Sequence, residues 1–250
     1  MRDRVLLLAD SLAFHGPARS ELLTHPGLWG SRLAAETGRE VDVVARLGWT
    51  ARDGWWAVTK DPYVYSVLLP RAAAVVVSLG NADMLPVSLP PYLREGLAHL
   101  RPPALRRAAR RAYFAAHPHV VRATGGRRRT LPQALTDHYL SRVVGGVRHF
   151  HPEAVVVGVV PPPFDAAAHA HRSVTQPPAA AAARAWGLRE GVPLVELDRV
   201  VAPHLAAGTL NPDGMHWSWE VHAEVAAETA RVLRAAGLPS PGPALAGPAR

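Results

Sequence analysis

Short apolar runs and longer amphipathic segments alternate along this chain. The apolar runs are continuous and rich in Val, Leu and Ala, which predicts strands that are buried on both faces. We place five strands at Arg4–Ala9, Val41–Ala45, Ala73–Leu79, Ala154–Val160 and Pro193–Leu197. The segments between them have helical periodicity, and we place helices at Leu28–Thr37, Thr50–Lys60, Pro132–His149, Pro178–Gly187 and Ser218–Ala236. This alternation predicts an α/β fold in which helices cover both faces of a parallel sheet.

One segment interrupts the alternation. About 50 residues separate the third strand from the helix at Pro132–His149, which is more than a connecting loop needs. They contain two Pro-bounded helical pieces, Tyr92–Leu100 and Ala104–Ala116. We therefore expect a helical cap at about residues 86–135, inserted into a single domain of residues 1–238. Residues 239–250 hold four Pro, two Gly and no periodic pattern, which predicts a disordered tail.

The positive charge of the chain is concentrated in this predicted cap. The whole chain has 28 basic and 20 acidic residues, but positions 94–129 alone hold ten Arg and one Glu. Such a cluster is either a solvated face or a binding surface for anions. The chain has no Cys, which excludes disulfide scaffolds, Cys-ligated zinc, iron–sulfur clusters and thiol catalysis.

The hydropathy of the chain gives no sign of membrane insertion. Its apolar runs are far shorter than the roughly 20 residues that a membrane-spanning helix needs. Five apolar residues precede Asp10, too few for the core of a signal peptide. We therefore expect a cytoplasmic protein with no membrane span.

Polar residues follow the predicted strands at the edge where doubly wound sheets bind their ligands. Ser11 follows the first strand, Gly48 the second and Asn81 the third, while Asp213 and His216 precede the last helix. These residue types suit acyl transfer, because His216 can take the proton of the Ser11 hydroxyl while Asp213 orients the imidazole. The backbone N–H groups of Ser11 and Gly48 and the side-chain amide of Asn81 can form an oxyanion hole.

These four blocks, in this order and at strand ends, resemble the SGNH (GDSL) hydrolase superfamily, which is named after its Ser, Gly, Asn and His. One position departs from the Gly-Asp-Ser-Leu motif, since Ala9 stands where the family has Gly. The resemblance implies a flavodoxin-like three-layer α/β/α sandwich with about five parallel strands. It also implies an acyl-serine intermediate on Ser11.

Longer stretches extend the match to a group of acyltransferases within that superfamily. These stretches are Leu47–Trp56, Leu69–Ala72, Arg101–Pro103 and Asn211–Trp217. The resemblance implies transfer of an octanoyl group to a glucose hydroxyl of diglucosylglycerate, early in methylglucose lipopolysaccharide synthesis. It also implies that octanoyl-CoA is the acyl donor substrate and that no cofactor takes part.

Two groups of residues are candidates for substrate binding. The first could line a pocket for the acyl chain or the sugar, although Trp55 also has the helical spacing of a core residue. It comprises Trp49, Trp55, Met84 and Leu85. The second could bind the phosphates of CoA or the carboxylate of the acceptor, since guanidinium groups pair bidentately with both. It comprises Arg106, Arg107, Arg110 and Arg111.

Other functions remain to be weighed against acyl transfer. An SGNH esterase or carbohydrate deacylase would share every catalytic residue, although a cap that excludes water favours transfer over hydrolysis. A nucleic-acid binder would need a fold signature that is absent, and only Tyr113 and Phe114 interleave the arginines. The His-x-His pairs have no third ligand nearby in sequence. We therefore expect small-molecule substrates, with neither nucleic acid nor a metal ion. Asp10 and Asp83 are interpreted as residues that hold their loops.

Overall fold

The computed structural model describes residues 3–240 and contains one five-stranded parallel sheet. Its strands are β1 Arg4–Ala9, β2 Val41–Ala45, β3 Ala72–Ser78, β4 Val155–Val159 and β5 Leu194–Val195, in the order β2-β1-β3-β4-β5. This is the flavodoxin-like order, which reverses between β1 and β3 and opens a crevice for ligands there. The predicted strands are confirmed, with β5 shorter than expected.

Eight α-helices surround the sheet in the described part of the chain. They are α1 Trp29–Thr37, α2 Ala51–Lys60, α3 Pro91–Gly96, α4 Pro103–Ala123, α5 Gln133–Phe150, α6 Gln176–Glu190, α7 Leu197–Ala207 and α8 Trp219–Ala235. Helices α1 and α8 pack together on one face of the sheet, and α2 and α5 pack together on the other. The predicted three-layer α/β/α sandwich is therefore confirmed.

Strand β1 shows why its apolar run has no polar alternation. Val5, Leu7 and Ala9 belong to the core beneath α1 and α8, whereas Leu6 and Leu8 belong to the core beneath α2 and α5. Side chains of a strand alternate between the two faces of the sheet, so a strand covered on both faces must be apolar throughout.

Two helices differ from the sequence prediction. Helix α7 was not predicted, because its buried stripe consists of Leu197 and Val201 and its interior contains Pro203. Helix α4 was predicted to end at Ala116 but continues through Pro118 to Ala123. Proline removes one backbone hydrogen bond from a helix. Burial of His117 and Val121 on the same helix offsets that loss.

The inserted segment between β3 and α5 is closed at its base. Val87 N–H donates to the Arg128 carbonyl at 2.9 Å, and Thr130 N–H donates to the Leu85 carbonyl at 3.0 Å. These bonds join the entry and exit of the insertion. The two helical pieces expected there are α3, followed by a 3₁₀ turn at Leu97–His99, and α4.

The predicted tail at 239–250 lies outside the described residues from position 241 onward. At its start, the Arg39 guanidinium donates to the Pro239 carbonyl at 2.8 Å. Within residues 3–240, no helix has both the length and the apolar character needed to cross a membrane.

Candidate active site

Ser11 stands on a tight turn at the carboxyl end of β1. It opens a 3₁₀ turn, Ser11–Ala13, whose first N–H groups are capped by the Asp10 side chain, with Leu12 N–H donating to Asp10 Oδ1 at 3.0 Å. Burial raises the pKa of Asp10 to about 6, against hydrogen bonds from Leu12 and Asn81 that favour the ionised carboxylate. Asp10 therefore holds the turn, as predicted.

His216 bridges Ser11 and Asp213. His216 Nε2 lies 3.0 Å from Ser11 Oγ, and His216 Nδ1 lies 2.5 Å from Asp213 Oδ2. A carboxylate only accepts hydrogen bonds, so Nδ1 carries the proton and Nε2 presents its lone pair to the serine hydroxyl. This is the arrangement a general base needs to activate a serine nucleophile.

Asp213 is held as a carboxylate by its hydrogen bonds. Partial burial raises its pKa, but donation from the His216 ring and from the N–H groups of His216 and Met215 outweighs burial and lowers the pKa to about 2. Those two backbone N–H groups lie 2.9 and 2.8 Å from Asp213 Oδ1. Asp213 is consequently ionised at neutral pH, where it can stabilise an imidazolium on His216.

The loop that carries Asp213 is fixed by Asn211 and Gly214. Asn211 Oδ1 accepts from Asp213 N–H at 3.0 Å, and Asn211 Nδ2 donates to the Gly16 carbonyl at 3.0 Å. Gly214 has a φ of +72°, and a Cβ there would lie 1.9 Å from the Asp165 carbonyl oxygen. Only glycine fits this close backbone approach.

His15 packs against His216, a contact that the sequence analysis did not anticipate. The two rings stack with centroids 3.8 Å apart, and His15 Nδ1 donates to the Gly16 carbonyl at 2.9 Å. Ligand-type atoms of His15, Asp213 and His216 lie within 4.8 Å of one another. The in-plane lone pairs of stacked rings run nearly parallel, so this geometry suits support of the His216 ring better than chelation of one ion.

The three predicted oxyanion donors, Ser11, Gly48 and Asn81, line the same cavity. Gly48 has a φ of +67°, which favours glycine. The side-chain nitrogen of Asn81 makes only long contacts with Ser78, at 3.4 and 3.5 Å. The Asn81 amide therefore retains the capacity to bind an anion in the cavity.

Asp83 ties together the elements around these donors. Its carboxylate accepts from Ala51 N–H at the start of α2 at 3.0 Å and from the Thr136 hydroxyl of α5 at 3.0 Å. Burial raises the pKa of Asp83 to about 7, although those two hydrogen bonds favour its ionised form. Asp83 thus joins the Asn81 loop to α2, which follows Gly48, and exceeds the local role predicted for it.

A cavity of about 570 Å³ opens above Ser11 and reaches beneath the inserted helices. One part of its wall is apolar and includes Met84, Leu85, Phe164 and Met215. The other part is polar and includes Arg94, Arg110, His117 and His169. The volume lies within the usual range for small-molecule sites, about 300–1,000 Å³.

Some predicted substrate-binding residues lie elsewhere. Trp49 and Trp55 are absent from the cavity lining within residues 3–240 and pack instead on the core beneath α2 and α5. Trp55 also lies under the Arg142 guanidinium, 4.5 Å from its ring centroid. The helical spacing of Trp55 thus reflects packing of α2 against α5, and its predicted pocket position is corrected.

The four predicted arginines of α4 are separated by their position on the helix. Arg110 lines the cavity together with Tyr113, Phe114 and His117, the next residues toward its deeper wall. Arg106, Arg107 and Arg111 are not part of that lining in the described chain. Arg107 and Arg111 are exposed to solvent.

Several cavity residues were missed by the sequence analysis. Phe164 follows β4, so inspection of the end of that strand could have found it in the way that Ser11 and Asn81 were found. Arg94, His117 and His169 carry no such signal, because the insertion and the loop after β4 meet only in the folded chain.

Comparison with known proteins is consistent with this site. No family model matches the chain. A diglucosylglycerate octanoyltransferase from Mycolicibacterium hassiacum is 36% identical over 238 residues, which cover 95% of this chain and 98% of the relative. The chain belongs to the diglucosylglycerate octanoyltransferase family. A member of this family from Mycobacterium tuberculosis is 34% identical over 239 residues, covering 96% of this chain and 95% of the relative.

The fold also matches solved structures. A lipase/acylhydrolase from Enterococcus faecalis superposes with a TM-score of 0.64 and 18% sequence identity, covering 98% of this chain and all of that one. Identity at this level indicates a shared fold, and the shared fold is the SGNH-type α/β sandwich expected from the four blocks.

Proposed function

We propose that this protein transfers an octanoyl group from octanoyl-CoA to a glucose hydroxyl of diglucosylglycerate. The observation that carries the proposal is the hydrogen-bonded line Ser11–His216–Asp213 at the floor of a cavity with an apolar wall. Relatives of similar length that bear the name of this activity support the choice of substrates. The proposed reaction needs no cofactor. Its donor is made in the cytoplasm, where we place it in methylglucose lipopolysaccharide synthesis.

The first half-reaction acylates Ser11. His216 Nε2 takes the hydroxyl proton while Ser11 Oγ attacks the thioester carbonyl carbon, and the carbonyl electron pair moves to oxygen. The N–H groups of Ser11 and Gly48 and the Asn81 amide then donate to that oxyanion. Collapse of the tetrahedral intermediate breaks the C–S bond, and the imidazolium of His216 protonates the departing thiolate.

The second half-reaction moves the acyl group to the sugar. His216 takes a proton from a glucose hydroxyl, whose oxygen attacks the octanoyl-Ser11 ester, and the same donors bind the second oxyanion. Collapse returns the proton to Ser11 Oγ. The apolar side chains of Met84, Leu85, Phe164 and Met215 offer a surface for the acyl chain. Exclusion of water by the inserted helices favours the sugar hydroxyl as nucleophile.

The test is incubation of the protein with octanoyl-CoA, with and without diglucosylglycerate, followed by mass analysis of the products. We expect diglucosylglycerate that is heavier by one octanoyl group, and CoA release that depends on the acceptor. Equal release of free octanoate under both conditions would instead make the protein a hydrolase, the alternative that shares all three residues of the triad.

Asn81→Ala is expected to lower kcat by about 10²–10³-fold, because an oxyanion donor acts mainly on the transition state. The KM for octanoyl-CoA should change little. Steady-state kinetics of both parameters check this expectation, with Asn211→Ala as a comparison that disturbs the Asp213 loop instead. A change confined to KM would show that Asn81 positions substrate.

A further inference from the structure

The cavity has a cationic wall, formed by Arg94 of α3 and Arg110 of α4. In the part of the chain that the structure describes, neither guanidinium has a carboxylate within salt-bridge distance. Glu95, the acid next to Arg94, faces Arg52 at 3.6 Å instead. Asp10, the one acid among the described lining residues, is buried under the Ser11 turn and capped by Leu12 N–H. The cationic wall is therefore uncompensated.

Two histidines beside the cationic wall are neutral. His117 Nδ1 lies 2.7 Å from Ser88 Oγ, and His169 Nδ1 donates to the Pro86 carbonyl at 3.0 Å. Burial lowers the pKa of both rings, that of His169 to about 4, and the charge of Arg94 lowers both further. An anion that binds here consequently has the two arginines as its charged partners.

We propose that Arg94 and Arg110 bind the carboxylate of the acyl acceptor and so select an anionic glycoside over a neutral one. The assignment rests on the proposed function, since it takes diglucosylglycerate as the acceptor. Guanidinium and carboxylate match in charge and in bidentate geometry. A carboxylate held at this wall places the sugar part of the same molecule in the cavity that contains Ser11.

The phosphates of octanoyl-CoA are the other source of negative charge. In that molecule the whole pantetheine arm separates the thioester from the phosphates. With its carbonyl carbon at Ser11, the donor extends those phosphates beyond a cavity of about 570 Å³. The glycerate carboxylate is part of the acceptor itself and needs no such reach, which favours it at this wall.

The test measures binding of diglucosylglycerate and of its carboxamide to the wild type and the variants by calorimetry, with no acyl donor present. We expect the wild type to prefer the carboxylate by about tenfold or more, the worth of one charge-assisted hydrogen bond. Arg94→Gln and Arg110→Gln should each weaken carboxylate binding by about that factor and leave the carboxamide unaffected. Arg94→Lys should recover part of the preference.

Arg107→Gln is the matched control, because it removes a charge from the same helix at an exposed position outside the cavity lining. It should bind both compounds as the wild type does, and thermal melts should show that all variants fold. Unchanged selectivity in Arg94→Gln and Arg110→Gln would overturn the subsite. So would weaker binding of octanoyl-CoA with acceptor binding intact, which would assign the arginines to phosphate. Selective binding without any octanoyl transfer would support the subsite and reject the proposed function.

Discussion

Ser11→Ala is expected to reduce octanoyl transfer by about 10⁵–10⁶-fold, the scale seen when a serine nucleophile is removed from a triad. Without Oγ no acyl-enzyme forms, and only binding and the oxyanion donors remain. The hydroxyl has His216 as its partner in a buried position, and its loss removes few packing contacts. The thermal midpoint should therefore stay close to that of the wild type.

Two measurements check this expectation. Intact-mass analysis after mixing with octanoyl-CoA should show an octanoyl adduct on the wild type and none on Ser11→Ala. Steady-state CoA release should fall in parallel. An adduct on the variant, or transfer above a few per cent of the wild-type rate, would remove Ser11 from the mechanism.

Asp213→Asn is expected to lower kcat by about 10³–10⁴-fold, because it inverts the tautomer of His216. The amide that replaces the carboxylate can donate to Nδ1, which then holds a lone pair and leaves the proton on Nε2. Nε2 can no longer accept the Ser11 proton. The KM for octanoyl-CoA should change little, since Asp213 does not belong to the described lining of the cavity.

Asp165→Asn provides the matched control for this prediction. Asp165 also pairs with a histidine, His171, at 2.7 Å, but both side chains are 59% exposed and neither lines the cavity. That variant should keep the wild-type kcat. Equal losses of activity in the two variants would show that the effect of Asp213→Asn comes from a general disturbance of the loops near Gly214, and not from the tautomer.

The sheet was predictable because its signal is local. A strand buried on both faces must be apolar throughout, so each of the long strands is visible as one uninterrupted run such as Val5–Ala9. Strand β5 forms its ladder over only two residues, and helix α7 buries too short a stripe to show clear periodicity. Both were therefore described imprecisely or missed.

The candidate triad was predictable for a related reason. In a parallel sheet the carboxyl ends of neighbouring strands meet, so Ser11 and Asn81 were expected to be neighbours once β1 and β3 were recognised. Asp213 and His216 are three residues apart, which allows one short loop to bring both side chains together. His15 had no comparable signal, since its stacking on His216 depends on how two distant loops pack.

The sequence by itself determined the parallel α/β sandwich, the position of the insertion and the residues available for serine-based acyl transfer. These follow from periodicity and strand order, which are properties of short segments. Only the tertiary structure decided that Trp55 packs in the core, that Arg110 and not Arg107 faces the cavity, and that Arg94 joins it. The physical reason is that the direction of a side chain on a helix becomes meaningful only when the surface that the helix packs against is known.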